Sequence, residues 1–251
     1  EKGKAVRHEL NLPGEKPSQM ASVEVSALPQ INLRKRLAQL TEYPYGCTEQ
    51  IVSAAFAQLY LSELTGSKAE ETLETNQRIQ SAVRQLSIRQ RPDGSVSYWP
   101  GSSWVQEWTE VYAGHFMLMA ARADKAVPSM FLNLWTKNQR GKAAAWRPDV
   151  YNETLTNDLL QAYRLYALAL QGEAPLSAMN RLREHPLLSY QAAATLAAAY
   201  AIAGQDQAAR ELLLGNKLRK TSLYHNELTL GSSTRDLAMK AEALTLLKEK
   251  N

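Results

Sequence analysis

The stretch EYPYGCTEQ (42–50) holds the single cysteine of a 251-residue chain. Cys47 follows a turn marked by Pro44 and Gly46 and precedes a run with helical apolar spacing, which places it at or beside a helix N-terminus. Unpaired backbone N–H groups and the helix dipole favour a thiolate there. Gln50 lies three positions on, on the same helical face. Attack of the sulfur on its side-chain carbonyl, with loss of ammonia, gives an internal γ-glutamyl thioester. Such a bond is a latent acylating group and lasts only where water and amines are kept away. Tyr43 and Tyr45 flank the turn as candidate shields. Trp99, Trp104 and Trp108 offer further aromatic cover if the 92–104 loop folds back, with core packing as the competing account for each. The competing account for Cys47 is a small buried apolar side chain, the usual role of an unpaired cysteine.

The chemistry needs a scaffold, and composition bounds it. Apolar residues make up 45% of the chain and charged residues 22%, which describes a folded domain with a sizeable core. The net charge of +4 is mild, and Lys and Arg are spread rather than bunched, so there is no nucleic-acid stripe. No run approaches the roughly 18 apolar residues of a membrane span. The opening EKGKAVRHEL lacks a signal-peptide core, as expected of a mature domain or of a piece of a longer protein. One cysteine makes no internal disulfide, so redox compartment is not legible. One cysteine and four scattered histidines show no metal-ligand spacing, and no cofactor motif is present.

ASVEVSAL (21–28) alternates apolar and polar residues as a half-buried strand does. From Ile31 onward the period is helical, beginning with INLRKRLAQL. About ten helices follow, joined by short connections, with a loop at 92–104 and a break at Pro148. Two later segments, AYRLYALALQGEAPLSAMNRL and TLAAAYAIAGQDQAARELL, share a plan. Each is a small-residue-rich helix, a glycine (Gly172 or Gly204) suited to a left-handed C-cap, and a second amphipathic helix. Helix pairs of this kind stack to bury their faces, as an open solenoid or a closed α/α toroid.

PYGCTEQ (44–50) resembles the thioester motif of the α2-macroglobulin/complement superfamily, Pro-Tyr-Gly-Cys-x-Glu-Gln, at all six fixed positions. RQRPDGSVSYW (89–99) and WTEVYAGHFMLMA (108–120) resemble the Asp-Gly loop and Trp-initiated helix that follow in the family. LRKRLAQLTEYPYGC resembles the bacterial members especially, and weaker similarity runs through 159–240. The resemblance implies an all-α fold, an α/α toroid of helix hairpins over 31–251, trimmed relative to the family's dozen helices. It makes residues 1–30 a β-strand and linker segment from an adjacent β domain.

For function, the resemblance implies a single-use covalent protease inhibitor rather than an enzyme. Cys47 and Gln50 form the bond, Glu49 matches the fixed acid that supports the loop, and Tyr43 and Tyr45 shield it. After a protease cuts a bait region elsewhere in the protein, the thioester acylates a lysine of the attacker. The implied setting is a periplasmic lipoprotein anchored to the membrane. The implied partners are target proteases, the other domains of the full-length protein and a peptidoglycan synthase, with no nucleic acid. Complement-type members carry a histidine that relays the acyl group to hydroxyls. No histidine occurs in 116–184, which fits direct attack by amines, while His115 lies one turn past Tyr112. His8, His185 and His225 read as surface residues. The rival readings are a helical-repeat interaction scaffold with an unreacted cysteine, and an enzyme on an α/α toroid. The latter needs a carboxylate pair or a histidine partner for Cys47, and the sequence offers neither.

Overall fold

The computed structural model describes residues 46–60, 69–148, 156–214 and 231–248. They form nine helices: α1 (Thr48–Gln58), α2 (Ala69–Arg89), α3 (Glu107–Arg122), α4 (Ser129–Ala145), α5 (Thr156–Leu170), α6 (Leu176–Arg183), α7 (Tyr190–Ile202), α8 (Asp206–Leu214) and α9 (Ser233–Lys248). The predicted strand at 21–28, the predicted helix at 31–40, the proposed 1–30 segment, Tyr43 and Tyr45 lie outside the described residues.

The helices alternate between two layers. The odd-numbered ones are neighbours in series: α1 packs on α3, α3 on α5, α5 on α7 and α7 on α9. Each even-numbered helix packs outside, across two of them: α2 on α1 and α3, α4 on α3 and α5, α6 on α5 and α7, α8 on α7 and α9. This is the α/α toroid. Burial follows the layers. In α7 every residue from Ala192 to Ala201 is buried, as expected of a helix enclosed on all sides. The outer α2 buries one stripe, Ile79, Ala82, Val83 and Leu86, with Arg89 at its end, and exposes Leu73 and Ile88. The alanines of α7 allow the close approach of α5, α8 and α9 that larger side chains would prevent.

The hairpins end alike. Gly172 has φ +84° and Gly204 φ +76°, the left-handed geometry predicted for them. The N–H groups of Gly172 and Glu173 turn back to the carbonyls of Ala169 and Leu168, and those of Gly204 and Gln205 to Ala201 and Tyr200. Asp124, at φ 55°, closes α3 by the same double bond, to Ala121 and, through Lys125, to Ala120. Ser189 caps α7 by accepting from the Ala192 N–H at 3.2 Å.

Between α3, α4 and α5 lies a buried polar knot. Arg164 donates to Gln139 Oε1 (3.0 Å) and Gln161 Oε1 (2.8 Å), and Lys142 pairs with the fully buried Glu110 at 2.6 Å. Above it Trp135 is completely buried, its indole N–H donating to the Glu110 carbonyl at 3.1 Å. The indole lies against Gly114, where an added Cβ would sit 1.9 Å from Trp135 Cε2. Gly114→Ala should therefore force the indole off α3 and lower stability by about 1–3 kcal/mol or more. Gly141→Ala, at a helical position with nothing within 4 Å, should raise stability by about 0.5–1 kcal/mol. Urea unfolding of the two variants checks the contrast.

Candidate functional site

Cys47 is the N-cap of α1, in extended backbone (φ −69°, ψ 158°), and its carbonyl takes the first helical bond from the Ile51 N–H at 3.1 Å. Its side chain caps nothing and is 3% exposed. Two other parts of the chain fix this start. Tyr98, in the 92–104 loop, accepts the Thr48 N–H on its carbonyl at 2.9 Å. The buried Thr48 hydroxyl reaches the carbonyls of Ser97 (2.7 Å) and Tyr98 (3.0 Å). On the other side Arg89, the last residue of α2, donates from Nη2 to the Gly46 carbonyl at 2.7 Å.

The loop is itself anchored. Asp93 accepts from the Ser95 N–H (3.0 Å) and hydroxyl (2.6 Å), bonds that hold its carboxyl below the usual range. Gly94 turns with φ +85° flat against α4, where a Cβ would meet the Leu134 carbonyl oxygen at 2.1 Å. Asn138 of α4 donates to the Asp93 carbonyl at 2.9 Å. The chain then pairs back through an isolated antiparallel bridge between Gln90 and Val96, and Ser97 N–H reaches the Arg89 carbonyl at 3.0 Å.

This ledge brings Tyr98 onto the motif. Its hydroxyl donates to Glu49 Oε2 at 3.2 Å, with the Cys47 side chain as its other polar neighbour. Burial, reinforced by those two neighbours, pushes the phenol far above its ordinary range. The ring packs on Trp104 (centroids 4.6 Å) and meets the edge of Trp99 (5.6 Å). Gln50 Oε1 is buried and has no hydrogen-bond partner among the described residues. Burial raises the Tyr112 phenol of α3 above its ordinary value, the Glu49 charge adding to the effect.

The sequence-predicted residues sort into three groups. Cys47, Glu49 and Gln50 share the first turn of α1. Trp99 and Trp104 rim the site, at 44% and 54% exposure, while Trp108 is a core residue packed on Tyr163 (4.7 Å). Sequence reasoning missed Thr48, Arg89 and Tyr98. Tyr98 adjoins the named Trp99, and alternation along an extended loop was the available signal: one ring turns in and the next out.

His115 belongs elsewhere. Its Nδ1 is 3.0 Å from the Tyr163 hydroxyl, and its ring meets the edges of Phe56 (5.0 Å) and Tyr166 (5.5 Å). Phe56 is nine residues beyond Cys47, about 13 Å along the helix. His115 lines a cavity of about 520 Å³ on the toroid axis, to which all five inner helices contribute, Glu242 and Arg235 coming from α9. His185, expected at the surface, is half-buried against Trp146 with its Nδ1 enclosed, because the α6–α7 connection tucks it inward. His8 and His225 lie outside the described residues. Among the described residues no three His, Cys, Asp or Glu side chains group to hold a metal ion.

No family model matches the chain. It is 26% identical over 171 residues to the alpha-2-macroglobulin of Escherichia coli K12, an alignment covering 64% of this chain and 10% of that protein. The crystal structure of native E. coli alpha-2-macroglobulin, from domain MG7 to the C-terminus, matches with TM-score 0.72 and 25% identity, over 88% of this chain and 36% of that one. The structure of E. coli alpha-2-macroglobulin activated by porcine elastase matches with TM-score 0.67 and 26% identity, over 83% and 19%. The helical toroid, with a Cys-Thr-Glu-Gln turn opening its first inner helix, is the fold of the helical region in these bacterial alpha-2-macroglobulin structures. The homologues of this chain are bacterial alpha-2-macroglobulins, and it spans about a tenth of the length of the curated relative reported above.

Burial lowers the His115 pKa from 6.5 to about 4, with Arg122 adding to the effect. The unfolded chain therefore binds this proton more readily than the folded one. Stability from His115 is complete above about pH 6.5 and is lost as pH falls toward 4, by on the order of 3 kcal/mol. His115→Gln should flatten that part of the stability profile, as read by urea unfolding between pH 4 and 7.

Proposed function

We propose that this chain is the thioester domain of a bacterial α2-macroglobulin-type protease trap, with Cys47 and Gln50 joined as an internal thioester that acylates lysine amines of an attacking protease. The observation that carries this is the pairing of a buried Cys47 with a buried, unpartnered Gln50 Oε1 one turn along. An amide oxygen so placed costs about 1–3 kcal/mol. A thioester oxygen, with less resonance donation behind it, is a weaker acceptor and tolerates the same place better. The bond is then flanked by Tyr98, packed on Trp104 and Trp99 in a partly exposed aromatic rim that keeps water off and presents an apolar surface to the rest of the protein. The elastase-activated relative supports a role in meeting proteases. The chain acts once per molecule and does not turn over. A periplasmic, membrane-anchored setting beside a peptidoglycan synthase is part of the same reading and rests on the resemblance alone.

Native protein should be lighter than its sequence by one ammonia and show no titratable thiol. Methylamine should release one thiol and leave a methylamide on Gln50. Protein never exposed to nucleophiles that has its full sequence mass and a titratable Cys47 would sink the reading and favour the scaffold alternative. The position of His115, beside Phe56 and bonded to Tyr163, argues against an imidazole acyl carrier. Offered equal labelled amine and labelled glycerol, the protein should take label almost wholly from the amine. Efficient glycerol labelling would contradict direct amine attack.

A further inference from the structure

The Tyr98 hydroxyl stands between the two side chains that an acyl exchange at Cys47 would involve. It donates to the Glu49 carboxylate at 3.2 Å, and the Cys47 side chain is its other polar neighbour. Its backbone is fixed on both sides, the N–H to the Trp104 carbonyl (3.0 Å) and the carbonyl to Thr48, and its ring is packed on Trp104. The phenol therefore has little freedom to leave. Like any phenol it is protonated at neutral pH, and so is a donor there. The charged and titratable groups around the motif come from four elements. They are Glu49 on α1, Tyr98 on the loop and Arg89 on α2, with Tyr112 of α3 on the Glu49 side. Arg89 is buried, and its Nε has no hydrogen-bond partner among the described residues.

We propose that Tyr98 is a catalytic residue of the exchange, donating the proton that the Cys47 sulfur takes up as the amide forms. This rests on the thioester reading above. The amine nitrogen adds to the Gln50 acyl carbon, the N–C bond forms, the C–S bond breaks, and sulfur keeps the electron pair. Tyr98 Oη–H protonates that sulfur. Glu49 takes the proton lost by the amine and returns it to the phenolate. The sum is one amide and one thiol, with no other reactant. The buried Arg89 cation steadies the negative charge on sulfur until the proton arrives.

Tyr98→Phe keeps the ring packed on Trp104 and removes only the hydroxyl. The test uses the full chain and begins with the wild-type mass. A wild type that never shows the deficit of one ammonia overturns the thioester reading, and this proposal with it. Given the deficit, thiol release is timed against methylamine concentration at fixed pH and ionic strength. The wild-type rate should be first order in methylamine. Tyr98→Phe should be about 100-fold slower, the lower end for general acid–base catalysis, because a thiolate is already a fair leaving group. It should also gain a second-order dependence, as a second methylammonium supplies the missing proton. Glu49→Gln, which leaves the hydroxyl but removes the proton acceptor, should behave likewise and serves if Tyr98→Phe does not form the bond. Either variant reacting at the wild-type rate overturns the relay. A slow Tyr98→Phe that stays first order also overturns it, since a merely structural tyrosine leaves the reaction order unchanged.

Discussion

The Thr48 amide closes on the Tyr98 carbonyl and its hydroxyl on the carbonyls of Ser97 and Tyr98, and the geometry of the motif depends on that contact. A helix N-terminus has donors to spare, and here the first one is met by the backbone of a distant loop rather than by a capping side chain. That leaves the Cys47 side chain uncommitted at the N-cap position, where serine or aspartate would ordinarily turn back onto the helix. The thiol stays available because its usual structural task is done by something else.

The toroid supplies the rigidity on which this contact relies. The inner helices hold one another through alanine-rich faces, and the outer helices clamp the connections between them. The Gly94 turn rests on α4, α4 rests on α3 through Trp135 and Gly114, and α3 rests on α1. The ledge and the helix it caps are thus two ends of one packed loop of contacts. The buried polar knot around Arg164 and Glu110 fixes the register of α3, α4 and α5 in the same circuit.

Much of this was legible in the sequence. Helical periodicity located the nine described helices, and the 92–104 loop was marked by its Pro, Gly and Ser content. Gly172 and Gly204 announced their left-handed ends because few other residues adopt that geometry cheaply. Asp124 closes α3 in the same way and gave no such signal. The first turn of the motif was legible because Cys47 and Gln50 are close in sequence. Tyr98 and Arg89 were not, because their roles arise from contacts spanning about 50 residues, which no local pattern encodes. His115 adjoins Tyr112 on α3, and only the packing of Phe56 and Tyr163 shows that it belongs to the axis cavity rather than to the thiol.

The span of the Thr48–Ser97 bond, 49 residues, also orders events in time. Helices close within themselves quickly, whereas a contact across so long a stretch waits on diffusion of the chain and on the packing of α2 between its ends. Until then Cys47 and Gln50 sit at a fraying helix end open to water. On the proposed reading, an acyl link between them is therefore tied to completion of the tertiary structure. On that reading a nascent chain carries an ordinary cysteine and an ordinary glutamine, and the molecule is armed only once it is folded.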